Sequence, residues 1–211
     1  MPHGGGGAFC DTLEFWFDLI WSPTTRNALV TKQLHINVME FIVVLIQLAA
    51  VITIVEEPSL YPPLRRTLFP NGIPPLAKLL IRTDNSPSQN WAHKVSSKSE
   101  KGQLFVSIYA DLLDRTSLAV SCNHIAGTQN SLADFISRPP THLSTPLIRH
   151  SQIFMKAPKL ESYRYFHPSP ELLSLLASRL STEQWQESPP LPKSLGHFAA
   201  AGSTISCFVM I

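Results

Sequence analysis

The stretch Leu34-His-Ile-Asn-Val-Met-Glu-Phe-Ile-Val-Val-Leu-Ile-Gln-Leu-Ala-Ala50 decides how this chain folds. Only two residues between Phe41 and Val55 are polar, and a helix that is apolar on every side is a buried helix. Asn37 and Glu40 have the spacing of a capping box, in which two side chains satisfy backbone N–H groups at a helix start. We therefore predict a buried central helix that begins at about Asn37 and carries one carboxylate, Glu40, at its head.

The composition is that of a globular protein with one substantial core. The chain has 211 residues, of which 44% are hydrophobic and 15% charged, and its net charge is +2. This charge is too small to indicate nucleic-acid binding by itself. Cys10, Cys122 and Cys207 are far apart in the sequence and form no C-x-x-C pair. This spacing predicts reduced, mostly buried thiols in an intracellular protein, located in the cytoplasm or the nucleus.

A membrane-spanning helix is the alternative interpretation of the apolar run. A spanning helix needs about 20 mostly apolar residues, whereas Val38 to Val55 is shorter, contains Glu40 and Gln47, and lacks a basic flank. The N-terminus has neither the basic nor the apolar region of a signal peptide. We expect no signal peptide, no transmembrane segment and no stable membrane association.

The order of predicted elements indicates an α/β domain. Aromatic runs of alternating character before Trp21 predict a β-hairpin with a turn near Asp11, and consecutive glycines before it indicate close approach of another backbone. Further elements follow the central helix: a strand over 76–84, a helix after Asn85 or Ser86, a helix over 102–115, a strand over 117–125 and a helix from Asn130 or Ser131. This alternation predicts a mixed sheet flanked by helices, in a domain that ends near Arg138.

The remainder of the chain has a different character. Nine of the eighteen prolines follow Ser137, so we predict a domain over 1–138 and a proline-rich linker over 139–168. Leucines at helical spacing predict an amphipathic helix over 169–187, which docks on the domain or contacts another protein. A flexible tail is expected over 188–211.

Three carboxylates lie at predicted element boundaries, namely Glu40, Asp84 and Asp134. Sites gather at the carboxyl ends of strands in open α/β sheets, and acids that meet there repel one another unless a hard cation neutralises them. A pair of such ions can activate water and stabilise the leaving oxygen of a phosphodiester. The alternative is that each acid only caps a helix N-terminus.

Three sequence blocks carry a family resemblance. His35 to Phe41, Arg82 to Asn85, and His124 to Arg138 together resemble the RNase H-like domain that follows reverse transcriptase in gypsy-type and DIRS-type retrotransposon polyproteins. The resemblance implies Mg²⁺- or Mn²⁺-dependent hydrolysis of the RNA strand of an RNA–DNA hybrid. It also implies a two-metal site to which Glu40, Asp84 and Asp134 contribute the second, third and fourth acids.

The first acid of the family is missing from this chain. In the family it lies on the opening strand, in an Asp-Ala-Ser sequence before a glycine-rich turn, and that strand is the centre of the sheet. Asp11 and Asp18 lie too late in the chain to match it. We therefore expect the first strand to be missing, the N-terminus to be truncated and the catalytic activity to be lost or impaired. A non-catalytic remnant that binds nucleic acid or protein is the alternative function.

Several weaker candidates surround the acids. Asn85, Lys94, Lys98 and Asn130 are candidate contacts to the nucleic acid, although a solvated helix end is the simpler explanation of the lysines. His124 is a candidate proton shuttle or a simple strand-end residue.

Overall fold

The chain is described from a computed structural model over residues 5–56, 77–138, 146–180 and 204–210. Its strands are β1 (Gly5–Cys10), β2 (Phe15–Ile20), β3 (Lys78–Thr83), β4 (Ala119–His124), β5 (Arg164–Tyr165) and β6 (Thr204–Met210). Its helices are α1 (Pro23–Val30), α2 (Ile36–Glu56), α3 (Ser86–Lys94), α4 (Glu100–Arg115), α5 (Ser131–Ser137), α6 (Pro146–Lys156), α7 (Lys159–Ser162) and α8 (Pro170–Leu180). The predicted mixed α/β class is confirmed.

The described strands form one six-stranded sheet in the order β4-β3-β6-β1-β2-β5. β1 pairs antiparallel with β2 and with β6, whereas β3 pairs parallel with β4 and with β6. The predicted hairpin is present, with its turn at residues 11–14. The sheet thus has an antiparallel half and a parallel half, which meet at β6.

The glycines of β1 allow helices to pack closely on both faces of the sheet. A Cβ atom added at Gly6 would lie 2.5 Å from Val43 Cγ2 of α2, and one at Gly7 would lie 2.6 Å from Ile136 Cγ2 of α5. Both distances are shorter than van der Waals contact. The close approach that the glycine run predicted is confirmed, although the approaching groups are helix side chains as well as backbone.

The central helix α2 forms the core, as predicted. Phe41, Val44, Leu45 and Leu48 are among its completely buried side chains. Among the described residues, α2 is the one helix long and apolar enough to cross a membrane, and most of its length is buried inside the fold.

The predicted capping box at the start of α2 is wrong. The helix begins at Ile36, and His35 Nδ1 accepts a hydrogen bond from the Asn37 backbone N–H at 3.2 Å. Glu40 therefore lies beyond the first turn of the helix. Its position is not explained by capping.

The C-terminal part of the chain differs from the predicted linker and tail. Residues 146–165 of the expected linker contain α6, α7 and β5. The predicted amphipathic helix is present as α8, which packs against α4 with Leu176 buried, whereas 181–187 lie outside the described residues. Residues 204–210, expected in a flexible tail, form β6 between β1 and β3.

β6 lies inside the described sheet, where we expected a central strand to be missing. β6 forms backbone ladders on both of its sides, so β1 and β3 present no open edge toward each other. Strand pairing is a contact between residues distant in sequence, and the local pattern of residues 188–211 did not reveal it.

Candidate acidic site

Three elements bring the candidate acids to the end of the parallel half of the sheet. Asp84 follows the last residue of β3, and Asp134 lies on α5, which comes after β4. Glu40 lies near the start of α2, which packs against both halves of the sheet. The charge of Asp84 raises the pKa of Glu40, and the charge of Asp134 raises the pKa of Asp84. Asp84 is thus the member that links the three acids.

Burial and a neighbouring charge raise the pKa of Glu40. Loss of solvation raises the pKa of Glu40 from its ordinary value of 4.5 to about 7, and repulsion from Asp84 adds to the rise. Hydrogen bonding from Asn85 and the charge of Arg138 oppose it. The Oε2 atom of Glu40 is buried and has no hydrogen-bond partner among the described residues. Such a carboxyl group readily takes up a proton or a cation.

Asp84 lies in a polar turn. Burial raises the pKa of this carboxyl group, and the charge of Asp134 raises it further, while hydrogen bonds from its own backbone N–H and from Asn130 lower it. A Cβ atom added at Gly127 would lie 3.3 Å from Asp84 Oδ2, so the glycine turn covers the carboxylate closely. His124 Nε2 is 3.1 Å from the backbone oxygen of Asp84.

Asp134 is held by an arginine from the end of the same helix. Arg138 Nε lies 2.6 Å from Asp134 Oδ1, one helical turn away. The arginine side chain is 67% exposed and that of the aspartate 33%, so the ion pair lies at the border between solvent and the site. A pair this exposed contributes little to stability, but it supplies positive charge beside the three acids.

Two asparagines organise the acids. Asn85 caps α3, as predicted, by accepting a hydrogen bond from the Ser88 backbone N–H at 2.6 Å. Its side-chain nitrogen donates to Asn37 Oδ1 at 3.2 Å, so one residue ties the start of α2 to the start of α3. Asn130 is buried before α5 and hydrogen-bonds to Asp84 instead of capping with its side chain.

The two lysines predicted to contact nucleic acid lie apart from this cluster of charges. Lys94 ends α3 and Lys98 lies in the following loop, and both are exposed. Neither is among the groups that shift the pKa of Glu40 or Asp84. Their role as phosphate contacts stays a prediction, as does that of His124 in proton transfer.

The described residues do not show an assembled set of ligands for a pair of divalent cations. Within the described residues, no group of three or more His, Cys, Asp or Glu side chains is arranged to hold a metal ion. Glu40 offers an unpartnered oxygen atom, but Asp134 is already paired with Arg138. The strand beside β3, Thr204–Met210, contains no acidic residue. Metal binding by Glu40, Asp84 and Asp134 therefore stays a prediction.

Sequence reasoning missed a second polar cluster at the antiparallel end of the sheet. Tyr165 donates a hydrogen bond to Asp18 Oδ1 at 2.7 Å, and His150 Nε2 lies 3.5 Å from the same oxygen. Trp16 packs edge-on against both rings. The signal in the sequence was a charged residue inside an aromatic strand, but its partners come from residues more than 130 positions later.

Comparison of this chain with protein-family models, with curated proteins and with solved structures finds no match. A function for this chain is therefore inferred from the residues of the site.

Proposed function

We propose that this chain is an RNase H-like domain of retroelement type that keeps the acidic site but cleaves RNA–DNA hybrids poorly or not at all. The proposal is carried by one observation: the carboxylate of Asp84 is electrostatically coupled to Glu40 and to Asp134. Charges distant in sequence therefore act on one another, which supports a shared acidic site. Capping of separate helices would not bring them together.

The sheet supports the same proposal. The family has its first strand at the centre of the sheet, and here β6 lies between the hairpin and the parallel pair β3-β4. β6 runs antiparallel to β1 and parallel to β3. We infer that β6 substitutes for the family's first strand, and it has no acid to contribute.

The chemistry available to this site is limited by its charges. Hydrolysis of a phosphodiester requires positive charge to offset the negative charge on the phosphate, and in the family the bound metal ions supply it. Here Glu40 would be partly protonated at neutral pH, because burial and Asp84 raise its pKa to about 7. Asn85 and Asn130 hold the acids in position through hydrogen bonds. We expect Asn85 and Asn130 to preserve the positions of the acids but not the rate of phosphodiester hydrolysis.

A labelled RNA–DNA hybrid incubated with the protein and Mg²⁺ tests the proposal. Three proteins are compared: the parent chain, Asp84→Asn, and the control Asp111→Asn, which changes an exposed aspartate of α4. We expect all three to cleave no faster than the buffer. Robust cleavage that Asp84→Asn abolishes and Asp111→Asn preserves would show that the site is active. Cleavage that neither variant affects would exclude this site as its source.

Binding of the hybrid without cleavage is the second candidate function. It is favoured by Arg138, because this exposed guanidinium group supplies a positive charge beside the acids. Removing the exposed charges in Lys94→Gln/Lys98→Gln should weaken hybrid binding and reduce its salt dependence, by about 0.9 in the log–log slope for each phosphate that is no longer neutralised. Lys78→Gln, at an exposed position of β3, is the control. Equal binding by both variants would argue against the two lysines as phosphate contacts.

A further inference from the structure

The last strand brings two cysteines from opposite ends of the sequence into one cross-strand pair. In the antiparallel ladder of β1 and β6, Gly7 is opposite Met210 and Phe9 is opposite Phe208. Continuing this register by one residue places Cys10 opposite Cys207. Both side chains are completely buried, and their thiols are hydrogen-bonded to each other.

The third cysteine is outside the reach of this pair. Cys122 on β4 is opposite Ile81 of β3, and Ile81 is opposite Cys207 on its other side. Two strand spacings of about 4.8 Å therefore separate Cys122 from Cys207. A disulfide bond rarely spans more than about 7 Å between Cα atoms. Residues directly opposite each other on antiparallel strands lie about 4.5 to 5.5 Å apart, which suits a disulfide bond.

The surroundings keep the pair in its thiol form in the resting protein. Burial raises the pKa of Cys207 well above its usual range, and contact with Cys10 adds to the rise. The carboxamide of Gln47, a completely buried polar group of α2, faces the Cys207 thiol and opposes part of this rise in pKa. Reaction requires β6 to separate briefly from β1, because the closed sheet excludes an oxidant from both sulfur atoms.

We propose that Cys10 and Cys207 form a redox latch, in which a small-molecule two-electron oxidant converts the thiol pair into a disulfide bond that fastens β6 into the sheet. The two thiols together lose two protons and two electrons as the S–S bond forms. An azo oxidant such as diamide takes them up and becomes the hydrazine. The bond would join β1 to β6 across nearly the whole chain, and closing a loop of this length strongly restricts the unfolded state.

Peptide mapping without reduction identifies the bond. Trypsin cleaves after Arg26 and after Lys193, so Cys10 and Cys207 lie on the peptides 1–26 and 194–211, whereas Cys122 lies on a third peptide. After diamide treatment and blocking of the remaining thiols, we expect 1–26 to be linked to 194–211 and Cys122 to be blocked as a free thiol. The oxidised protein should also unfold at a higher urea concentration, and dithiothreitol should reverse this shift.

Two variants separate the latch from other thiol chemistry. Cys122→Ser keeps the pair and should behave as the parent chain, whereas Cys207→Ala should lose both the linked peptide and the urea shift. Cys10→Ala provides the same test from the other strand if Cys207→Ala does not fold. A linkage that includes Cys122, a disulfide between two chains, or three free thiols after oxidation would each overturn the proposal. If the linked protein has the same urea midpoint as the reduced protein, the claim that the disulfide bond stabilises β6 in the sheet is wrong.

Discussion

The replacement Glu40→Gln should make the stability of the protein less dependent on pH. Glu40 has its pKa raised to about 7 in the folded protein, chiefly by burial and secondarily by Asp84. In the unfolded chain the carboxyl group returns to its ordinary value of 4.5. Between these two values the folded state binds more protons than the unfolded state, so the free energy of unfolding falls as pH rises.

The magnitude follows from the two pKa values. A shift of one unit corresponds to about 1.4 kcal/mol, so the full difference from 4.5 to about 7 is on the order of 3 kcal/mol. The contribution is complete below pH 4.5 and is lost as pH rises through 7. Between pH 5 and pH 8 the parent chain should lose roughly 2.5 kcal/mol relative to Glu40→Gln.

Urea unfolding at pH 5, 6, 7 and 8, with EDTA present, measures this difference. Glu100→Gln is the matched control, because it makes the same change at an exposed glutamate of α4. The difference between Glu40→Gln and the parent chain should change with pH, and that of Glu100→Gln should not. A constant difference for Glu40→Gln across this range would refute the reasoning.

The same experiment reports on the coupling between the acids. In an Asp84→Asn background the desolvation of Glu40 remains, but the repulsion from the neighbouring carboxylate is removed. The pH at which stability is lost should therefore move below 7. If it stays at the same pH, the two carboxylates are not coupled, and the proposed function no longer has the observation that carries it.

Three further replacements test the packing and the surface. Leu45→Ala should lower the free energy of unfolding by about 2–5 kcal/mol, because it leaves a cavity at a completely buried position of α2. The control Val30→Ala, at an exposed position, should change it by less than about 1 kcal/mol. Similar losses for both variants in urea unfolding would contradict the central role of α2. Gly6→Ala should cost about 1–3 kcal/mol, since its new methyl group meets α2 at 2.5 Å, and an unchanged thermal midpoint would show that the sheet and helix are not in close contact there. Asp11→Asn should cost less than about 1 kcal/mol, because its 2.8 Å ion pair with Lys159 is roughly half exposed and the amide oxygen can still accept the hydrogen bond from the Tyr163 hydroxyl. A larger loss that persists at high salt would contradict this assignment of Asp11 to a weak surface pair.

The proposed function and the thiol latch depend on different sides of β6. Its ladder with β3 lies beside Asp84, and its ladder with β1 ends at the cysteine pair. A disulfide bond between Cys10 and Cys207 would hold a strand without acids next to the acidic site. Oxidation should therefore leave hybrid cleavage absent, while the linked peptide still forms.

The sequence by itself determined the elements whose pattern is local. Apolar residues on all sides of 41–55 required a buried helix, and alternating aromatic residues with intervening turns required the hairpin. The Ser22-Pro23 pair is a local signal of the same kind, since Ser22 caps α1 by accepting a hydrogen bond from the Thr25 backbone N–H. The three acids were recognisable because each one lies at or near a predicted element boundary.

Only the tertiary structure decided which strand lies at the centre and what each acid contacts. β6 is separated from β1 by almost the whole chain, yet it forms backbone ladders with both β1 and β3. Glu40 was assigned to a cap from its spacing with Asn37, yet its perturbed pKa comes from burial and from Asp84, a residue 44 positions later. Helix and turn patterns arise from neighbours along the chain, whereas strand pairing and electrostatic coupling depend on distances that only the folded chain sets.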